Sequence, residues 1–370
     1  MRKLAWTAWA LAMLAVAPDL SARESSRAKE EPVRNVIYMI GDGMGLTHVS
    51  MMMLEEGYRP TSFDRSQNVA LITTYSANNR VTDSAAAGTA LASGRKTNNG
   101  MLGMTPDGET FESMMEKAME EGWKAGLVVT VYLQHATPAA FYAHVPSRND
   151  LDEISEQFVE SGVDVAFGGG KKFLAAERGD GKTLIDELKA KDYRVVYDLQ
   201  EADAVDQGRI VGLFSEEYMP TVLNGRDENY LCDATKKALE ILTNNAGKKG
   251  GFLLMVEGSQ IDSEAHANNA QGILAETRDF DRAVGAAMDY ADAHPGTLVV
   301  VTADHETSGL SITSNETDFT LSDSGVGYHF GTTGHSGTMV PVYGTGAERI
   351  NGVMDNTELS KKIQSLMGLE

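Results

Sequence analysis

The chain has 370 residues, of which 42% are hydrophobic, so it can bury a sizeable core as one large domain or two ordinary ones. It carries 53 acidic and 32 basic residues, for a formal net charge of -21. A surface this negative repels polyanions, which argues against a nucleic-acid-binding function.

The N-terminus has the pattern of an export signal. Arg2 and Lys3 precede an apolar run at 4–17, and small residues follow it. The run is shorter than the roughly 20 residues that a membrane span needs, which favours a cleaved signal over a membrane anchor. We therefore expect residues 1–22 to be a signal peptide, residues 23–34 to be a flexible lead-in, and the protein to be exported, either periplasmic or secreted.

Short apolar runs alternate with helical stretches along the rest of the chain. Strands are predicted at 36–40, 70–74, 126–132, 193–197, 210–214, 252–256, 298–302 and 339–343. Helices are predicted at 47–56, 84–92, 110–121, 150–161, 182–190, 231–245, 267–292 and 357–367. Most of the strands are continuously apolar, as expected when helices cover both faces of a parallel sheet. We predict an α/β fold in which a central, mostly parallel sheet is sandwiched by helices, within a single domain at 35–370.

Three carboxylates come directly after predicted strands or within two residues of their ends. They are Asp42, Glu257 and Asp304. In sheets of this class, ligands bind beyond the carboxyl ends of the strands, so the three side chains are expected at one edge. Like charges so close together repel each other unless cations lie between them. The sequence therefore predicts a metal site at this edge.

Histidines accompany these acids. Asp262 and His266 are four residues apart, so on a helix they share one face and could hold one ion, although such a pair also occurs as a surface hydrogen bond. His305 follows Asp304 at a strand end, where a turn can bring both side chains to one metal. His335 lies in a glycine-rich stretch that offers little packing, which favours metal ligation.

Ser84 opens an alanine-rich stretch predicted to be helical. It could be the helix N-cap or a nucleophile; Thr82 and Asp83 could cap the helix equally well and leave Ser84 in the first turn. A helix N-terminus also favours a bound phosphate. Arg148 could grip phosphate oxygens in bidentate fashion in such a site, or it could be an ordinary surface arginine.

Taken together, six segments resemble the alkaline phosphatase family and occur in the family's order. The matching segments are IGDGMG (40–45), VTDSAAAGTA (81–90), HATPAAFYAHVPSR (135–148), EGSQIDSEAHANN (257–269), VTADHET (301–307) and TGHSGT (333–338). The resemblance implies hydrolysis of phosphate monoesters to an alcohol and inorganic phosphate. It also implies two zinc ions (Zn2+), a third ion that is usually magnesium (Mg2+), and a phosphoserine intermediate.

The resemblance also implies roles for individual residues. The implied ligands are Asp262, His266 and His335 for one zinc ion, Asp42, Asp304 and His305 for the other, and Asp42, Thr137 and Glu257 for the third ion. Ser84 would be the nucleophile and Arg148 would hold the phosphoryl oxygens. His135 stands where enteric bacterial members carry Asp, and Ser263 stands where other members carry a longer Lys, His or Trp. We expect these two residues to modulate the third ion.

The expected partners are small-molecule phosphomonoesters and a second copy of the chain in a homodimer, with no nucleic acid and no stable membrane anchor. Sulfatases share such a metal core, but Ser84 is followed by Ala-Ala-Ala-Gly rather than by their Pro and Arg signature. A phosphodiesterase remains an alternative, and comparing the hydrolysis of monoesters and diesters would distinguish the two activities. A metal- or phosphate-binding protein without turnover has no need of a serine and an arginine around two metals.

Overall fold

The computed structural model describes residues 33–179, 181–248, 250–314, 325–346 and 350–369. The expected signal peptide at 1–22 and most of the lead-in at 23–34 lie outside the described residues. Val33–Glu370 forms one compact unit. Within the described ranges, no helix combines the length and the apolar character that a membrane crossing requires.

The strands include every strand expected from the sequence. In chain order they are β1 (Asn35–Gly41), β2 (Asn68–Thr73), β3 (Lys124–Tyr132), β4 (Val165–Gly169), β5 (Tyr193–Val196), β6 (Arg209–Leu213), β7 (Phe252–Gly258), β8 (Thr297–Thr302), β9 (Glu306–Thr307), β10 (Ser311–Ser314), β11 (Val326–His329), β12 (His335–Ser336), β13 (Val340–Thr345) and β14 (Gly352–Asp355). Two small antiparallel pairs, β10 with β11 and β9 with β12, lie outside the main sheet.

The main sheet of the described chain has ten strands in the order β14-β2-β13-β8-β1-β7-β3-β4-β6-β5. All neighbours run parallel except β13, which is antiparallel to both β2 and β8. The central strands β7 and β8 are buried along their whole length, as their continuously apolar sequences predict. The predicted mostly parallel α/β sheet is therefore confirmed.

Helices flank this sheet. In chain order they are α1 (Leu46–Glu55), α2 (Ser84–Ser93), α3 (Met114–Glu120), α4 (Ala136–Ala139), α5 (Leu151–Glu160), α6 (Lys171–Ala175), α7 (Leu184–Ala190), α8 (Leu199–Ala202), α9 (Tyr230–Ala246), α10 (Gln260–His266), α11 (Ala270–Ala293) and α12 (Asn356–Met367). The helix expected at 110–121 begins only at Met114, because Ser113 and Glu116 form a capping box that fixes its start.

The register of the central strands brings the predicted carboxylates to one edge. Ile40 of β1 pairs with Glu257 of β7 on one side and with Thr302 of β8 on the other. The chain therefore leaves β1 and β8 at the same level, and Asp42 and Asp304 follow there. This is the carboxyl edge of the parallel strands, where ligands bind in such sheets.

Candidate active site

Asp42 lies in a tight turn directly after β1 and is fully buried. The next residue, Gly43, has φ of 71° and donates its backbone N–H to Asp304 Oδ1 at 3.1 Å. A Cβ atom at Gly43 would lie 2.7 Å from Asp262 Oδ1 and 2.8 Å from Thr307 Oγ1. Glycine is therefore required here both for the positive φ and for the close approach of the backbone to two site residues.

Asp262, His266 and His335 form a first candidate ion group. His266 Nε2 lies 3.2 Å from Asp262 Oδ2 and 3.2 Å from His335 Nε2. Both histidines place Nδ1 against a backbone carbonyl, at 2.6 Å from Thr333 O and 2.8 Å from Thr82 O. Because a carbonyl only accepts, each Nδ1 carries a hydrogen, and both Nε2 atoms turn towards Asp262. Two ring nitrogens and a carboxylate so arranged suit one shared cation.

The contacts within the first group also set the pKa values of its members. The hydrogen bond to Asp262 raises the pKa of His266 to about 9 in the protein without metal. Burial would raise the pKa of Asp262, but the hydrogen bond to His266 and the charge of His305 hold it well below its usual range. A positive charge is thus favoured beside this carboxylate, and either a proton or a metal ion can supply it.

Asp42, Asp304 and His305 form a second candidate ion group and are fully buried. His305 Nε2 lies 3.1 Å from Asp304 Oδ2 and 3.4 Å from Asp42 Oδ1. Within the described part of the chain, neither oxygen of Asp42 accepts a hydrogen bond, and neither does Asp304 Oδ2. Burial and the neighbouring charge of Asp304 raise the pKa of Asp42 well above its usual range. Buried carboxylate oxygens without donors are expected where a cation binds.

Asp42, His135 and Glu257 form a third candidate ion group. Glu257 Oε2 accepts a hydrogen bond from Ser259 Oγ at 2.7 Å. Burial raises the pKa of Glu257 to about 8, against the hydrogen bond from Ser259 and the nearby hydroxyl of Thr137, which lower it. The buried Thr137 in α4 therefore lies next to this group, although the ring of His135 is the third member of the cluster.

Ser84 is the first residue of α2 and is almost completely buried. The residue before it, Asp83, caps the helix, because its Oδ1 accepts a hydrogen bond from Ala86 N at 3.0 Å. Ser84 is therefore not needed as the cap, and its Oγ lies 3.2 Å from His305 Nε2. The His305 ring stacks on His335 at a centroid distance of 3.6 Å. The hydroxyl thus contacts a residue at which the first and second groups meet.

Arg148 is not an ordinary surface arginine. Its Nη1 lies 3.4 Å from Asp83 Oδ2, and its Nη2 donates towards His135 Nε2 at 3.3 Å. Burial lowers the pKa of His135 to about 3, so the ring is neutral and can accept this hydrogen bond. The rings of Tyr132 and Tyr218 pack around His135 at 5.2 Å and 6.1 Å.

The structure adds one residue to the site that the sequence pattern did not single out, Thr307. Thr307 Oγ1 lies 2.5 Å from Asp262 Oδ1 and 3.1 Å from His305 Nδ1. Its position two residues after His305 in an extended segment is the signal that could have placed both side chains on one side. Ser263 directly follows Asp262 in α10.

Comparison with known proteins identifies one family. The family model described as alkaline phosphatase matches residues 33–324. Alkaline phosphatase 4 of Bacillus subtilis is 38% identical over 316 residues, which cover 80% of this chain and 67% of that protein. Streptomycin-6-phosphate phosphatase of Streptomyces griseus is 34% identical, with 97% of this chain and 96% of that protein covered.

The fold agrees as well. The structure of alkaline phosphatase from the Antarctic bacterium TAB5 superposes with a TM-score of 0.86 at 34% identity, covering 92% of this chain and 100% of that chain. A His-to-Asp variant of the same enzyme has been solved with magnesium bound in its M3 site. The family match extends over most of this chain, and the Streptomyces griseus relative at 34% identity is covered nearly end to end. The chain belongs to the alkaline phosphatase family.

Proposed function

We propose that the protein hydrolyses phosphate monoesters to an alcohol and inorganic phosphate through a phosphoserine at Ser84. The observation that carries this proposal is the position of Ser84 Oγ, 3.2 Å from His305 Nε2, where the first and second candidate ion groups meet through stacked histidine rings. Membership of the alkaline phosphatase family supports the same activity.

The donor atoms fit the proposed ions. Two histidines and one carboxylate in the first group, and one histidine and two carboxylates in the second, suit two zinc ions. The buried oxygens of Asp42 and Asp304 that accept no hydrogen bond within the described residues would then gain a partner. Bound zinc supplies a lowered pKa for a nearby hydroxyl and stabilises negative charge on phosphate oxygens.

The residues of the chain position the ester for attack. The phosphate would bind at the start of α2, where backbone N–H groups of the first turn and the helix dipole favour an anion. Arg148, held between Asp83 and His135, would donate to two phosphate oxygens and stabilise their charge in the transition state.

The covalent steps balance with water as the only co-reactant. Ser84 Oγ forms the bond to phosphorus, the ester oxygen leaves and is protonated to the alcohol, and the hydroxyl proton of Ser84 passes to the solvent. Water then displaces Ser84 and releases inorganic phosphate, which restores the serine.

The third group would hold magnesium through Asp42, Thr137 and Glu257, whose oxygens suit this hard cation. His135 introduces a nitrogen at the same place, which oxygen-preferring magnesium favours less than a carboxylate. The His-to-Asp variant of the relative with magnesium in its M3 site supports a link between this position and the third ion. Ser263, which directly follows Asp262 in α10, would modulate the third ion indirectly.

The test is hydrolysis of p-nitrophenyl phosphate by the purified protein, with bound zinc measured on the same sample. We expect activity that a chelator abolishes and zinc restores, and about a hundredfold or greater preference over bis(p-nitrophenyl) phosphate. Preferential hydrolysis of the diester would assign the protein to the phosphodiesterases. Tight binding of phosphate and zinc without turnover would make it a binding protein.

We also propose that residues 1–22 are a signal peptide, that residues 23–34 are a flexible lead-in, and that 35–370 form the single catalytic domain of an exported homodimer. The basic residues and the apolar run at 4–17 support the export signal. N-terminal sequencing of the protein recovered outside the cytoplasm tests the first part, and light scattering on the purified protein tests the dimer. An intact N-terminus or a monomeric mass would contradict these two assignments.

A further inference from the structure

Thr307 lies where four segments of the site meet. The residue is fully buried in β9, and its register partner in β12 is His335 of the first group. Its backbone N–H donates to Gly43 O at 3.0 Å, next to Asp42 of the second group. The backbone of Thr307 is therefore fixed from two sides, which leaves its side chain with a defined direction.

The hydroxyl of Thr307 contacts one ligand candidate from each group. Oγ1 lies 2.5 Å from Asp262 Oδ1 in the first group and 3.1 Å from His305 Nδ1 in the second. A hydroxyl has one hydrogen to donate, and an ionised carboxylate can only accept. The hydrogen of Thr307 therefore goes to Asp262, and Oγ1 accepts a hydrogen bond from His305 Nδ1.

This direction fixes the tautomer of His305. With the hydrogen on Nδ1, the lone pair is on Nε2, which faces Asp304 Oδ2 at 3.1 Å and Asp42 Oδ1 at 3.4 Å. A metal-ligating histidine is commonly held in this way by a partner on its other ring nitrogen. Here the same hydroxyl also orients a carboxylate of the neighbouring group.

We propose that Thr307 is a positioning residue that couples the two zinc sites: its hydroxyl sets His305 Nε2 as the ligand atom of one site and orients Asp262 in the other. This inference rests on the proposed function, since it assumes that both groups bind zinc. It predicts that losing a single hydroxyl weakens zinc binding in both sites, whereas a purely structural threonine would change folding stability alone.

The test compares three variants. Thr307→Val keeps the shape of the side chain and removes the hydroxyl, whereas Thr307→Ser keeps the hydroxyl. Thr277→Val is the matched control, because Thr277 is also fully buried and donates one hydrogen bond, to Ile273 O at 2.7 Å within α11. Each protein is dialysed against graded zinc–chelator buffers, and bound zinc is measured by atomic absorption.

We expect Thr307→Val to need about 10–100-fold more free zinc for half-loading at both sites, with Thr307→Ser within about threefold of the wild type and Thr277→Val unchanged. Wild-type zinc affinity in Thr307→Val, or an equal loss in Thr307→Ser, would overturn the role of Thr307 and leave the proposed function intact. A wild-type protein that binds no zinc would refute the proposed function and this inference with it.

A second measurement needs no variant and so does not depend on the folding of Thr307→Val. In the metal-free wild-type protein labelled with 15N-histidine, side-chain NMR spectra should show His305 with its hydrogen on Nδ1, donated to Thr307. A His305 ring with hydrogen on Nε2 alone would overturn the proposal.

Discussion

Replacing Ser84 by alanine tests whether this residue is a nucleophile or merely part of a helix start. We expect kcat/KM for p-nitrophenyl phosphate to fall at least about a thousandfold, or about 4 kcal/mol, because the covalent route through Oγ is lost. The fold should hardly change. Among the described residues, Oγ makes one hydrogen bond, to His305 at 3.2 Å, worth about 0.5–1.5 kcal/mol, and alanine is the best helix former.

Asp83→Ala, one residue earlier, is the matched control. It removes the cap on Ala86 N, a hydrogen bond from Gly100 N at 3.0 Å and the contact with Arg148 at 3.4 Å. Together these are worth about 2–3 kcal/mol of unfolding free energy. At about 2.1 cal/mol/K per residue of unfolding entropy, this corresponds to a Tm lowered by about 3–4 °C in a domain of this size.

Steady-state kinetics, calorimetry and zinc analysis on both variants complete this test. We expect Ser84→Ala to lose turnover while keeping its Tm within about 2 °C and its zinc, and Asp83→Ala to lose stability while keeping kcat within about tenfold. Ser84→Ala with more than about a tenth of wild-type turnover would refute the assignment of Ser84 as the nucleophile.

Three further predictions concern other groups. Burial raises the pKa of Glu257 to about 8, so this side chain must lose its proton before magnesium binds. The magnesium affinity measured by calorimetry should therefore rise about tenfold per pH unit from pH 6 to 8 and then level off. A magnesium affinity that does not change with pH would contradict this. Arg148→Lys loses the bidentate grip and should raise the inhibition constant of inorganic phosphate about 10–100-fold; an unchanged constant would exclude Arg148 from phosphate binding. Arg226→Met leaves Glu276 and Asp279 buried without their ion-pair partner, which should cost about 3–5 kcal/mol of unfolding free energy at pH 8. That deficit should shrink in denaturant titrations at pH 5, because burial raises the pKa of Asp279 to about 6 and protonation removes its charge; a deficit independent of pH would show that charge is not the cause.

The central strands could be predicted from sequence because burial on both faces leaves a continuous apolar run. Two strands of the main sheet were missed for physical reasons. In β4 the run is only five residues long and ends in two glycines, which resemble a turn. The strand β14 has only four residues and lies at the sheet edge, and Met354 is its one buried residue, so little hydrophobic signal remains. The antiparallel direction of β13 was equally out of reach, because strand composition does not encode direction.

The site also has features that the sequence predicts and features that it does not. The carboxylates at strand ends were predictable, because the rule that parallel strands expose their carboxyl ends at one edge places Asp42 and Asp304 together. The choice between Asp83 and Ser84 as the helix cap was not predictable, because Asp and Ser are both common N-cap residues. Only the hydrogen bond from Ala86 N to Asp83 decides it. The role of Thr307 depends on contacts with Asp262, 45 positions away in the chain, which no local pattern reveals.

The central claim is that phosphate is transferred to Ser84 during turnover. Acid quenching of the zinc-loaded protein during turnover of p-nitrophenyl phosphate, followed by proteolysis and tandem mass spectrometry, tests it directly. The proposed mechanism predicts a phosphate on Ser84 in the peptide that begins α2, and none in Ser84→Ala. Sustained turnover with no phosphorylated residue, or with phosphate on a residue other than Ser84, would contradict it.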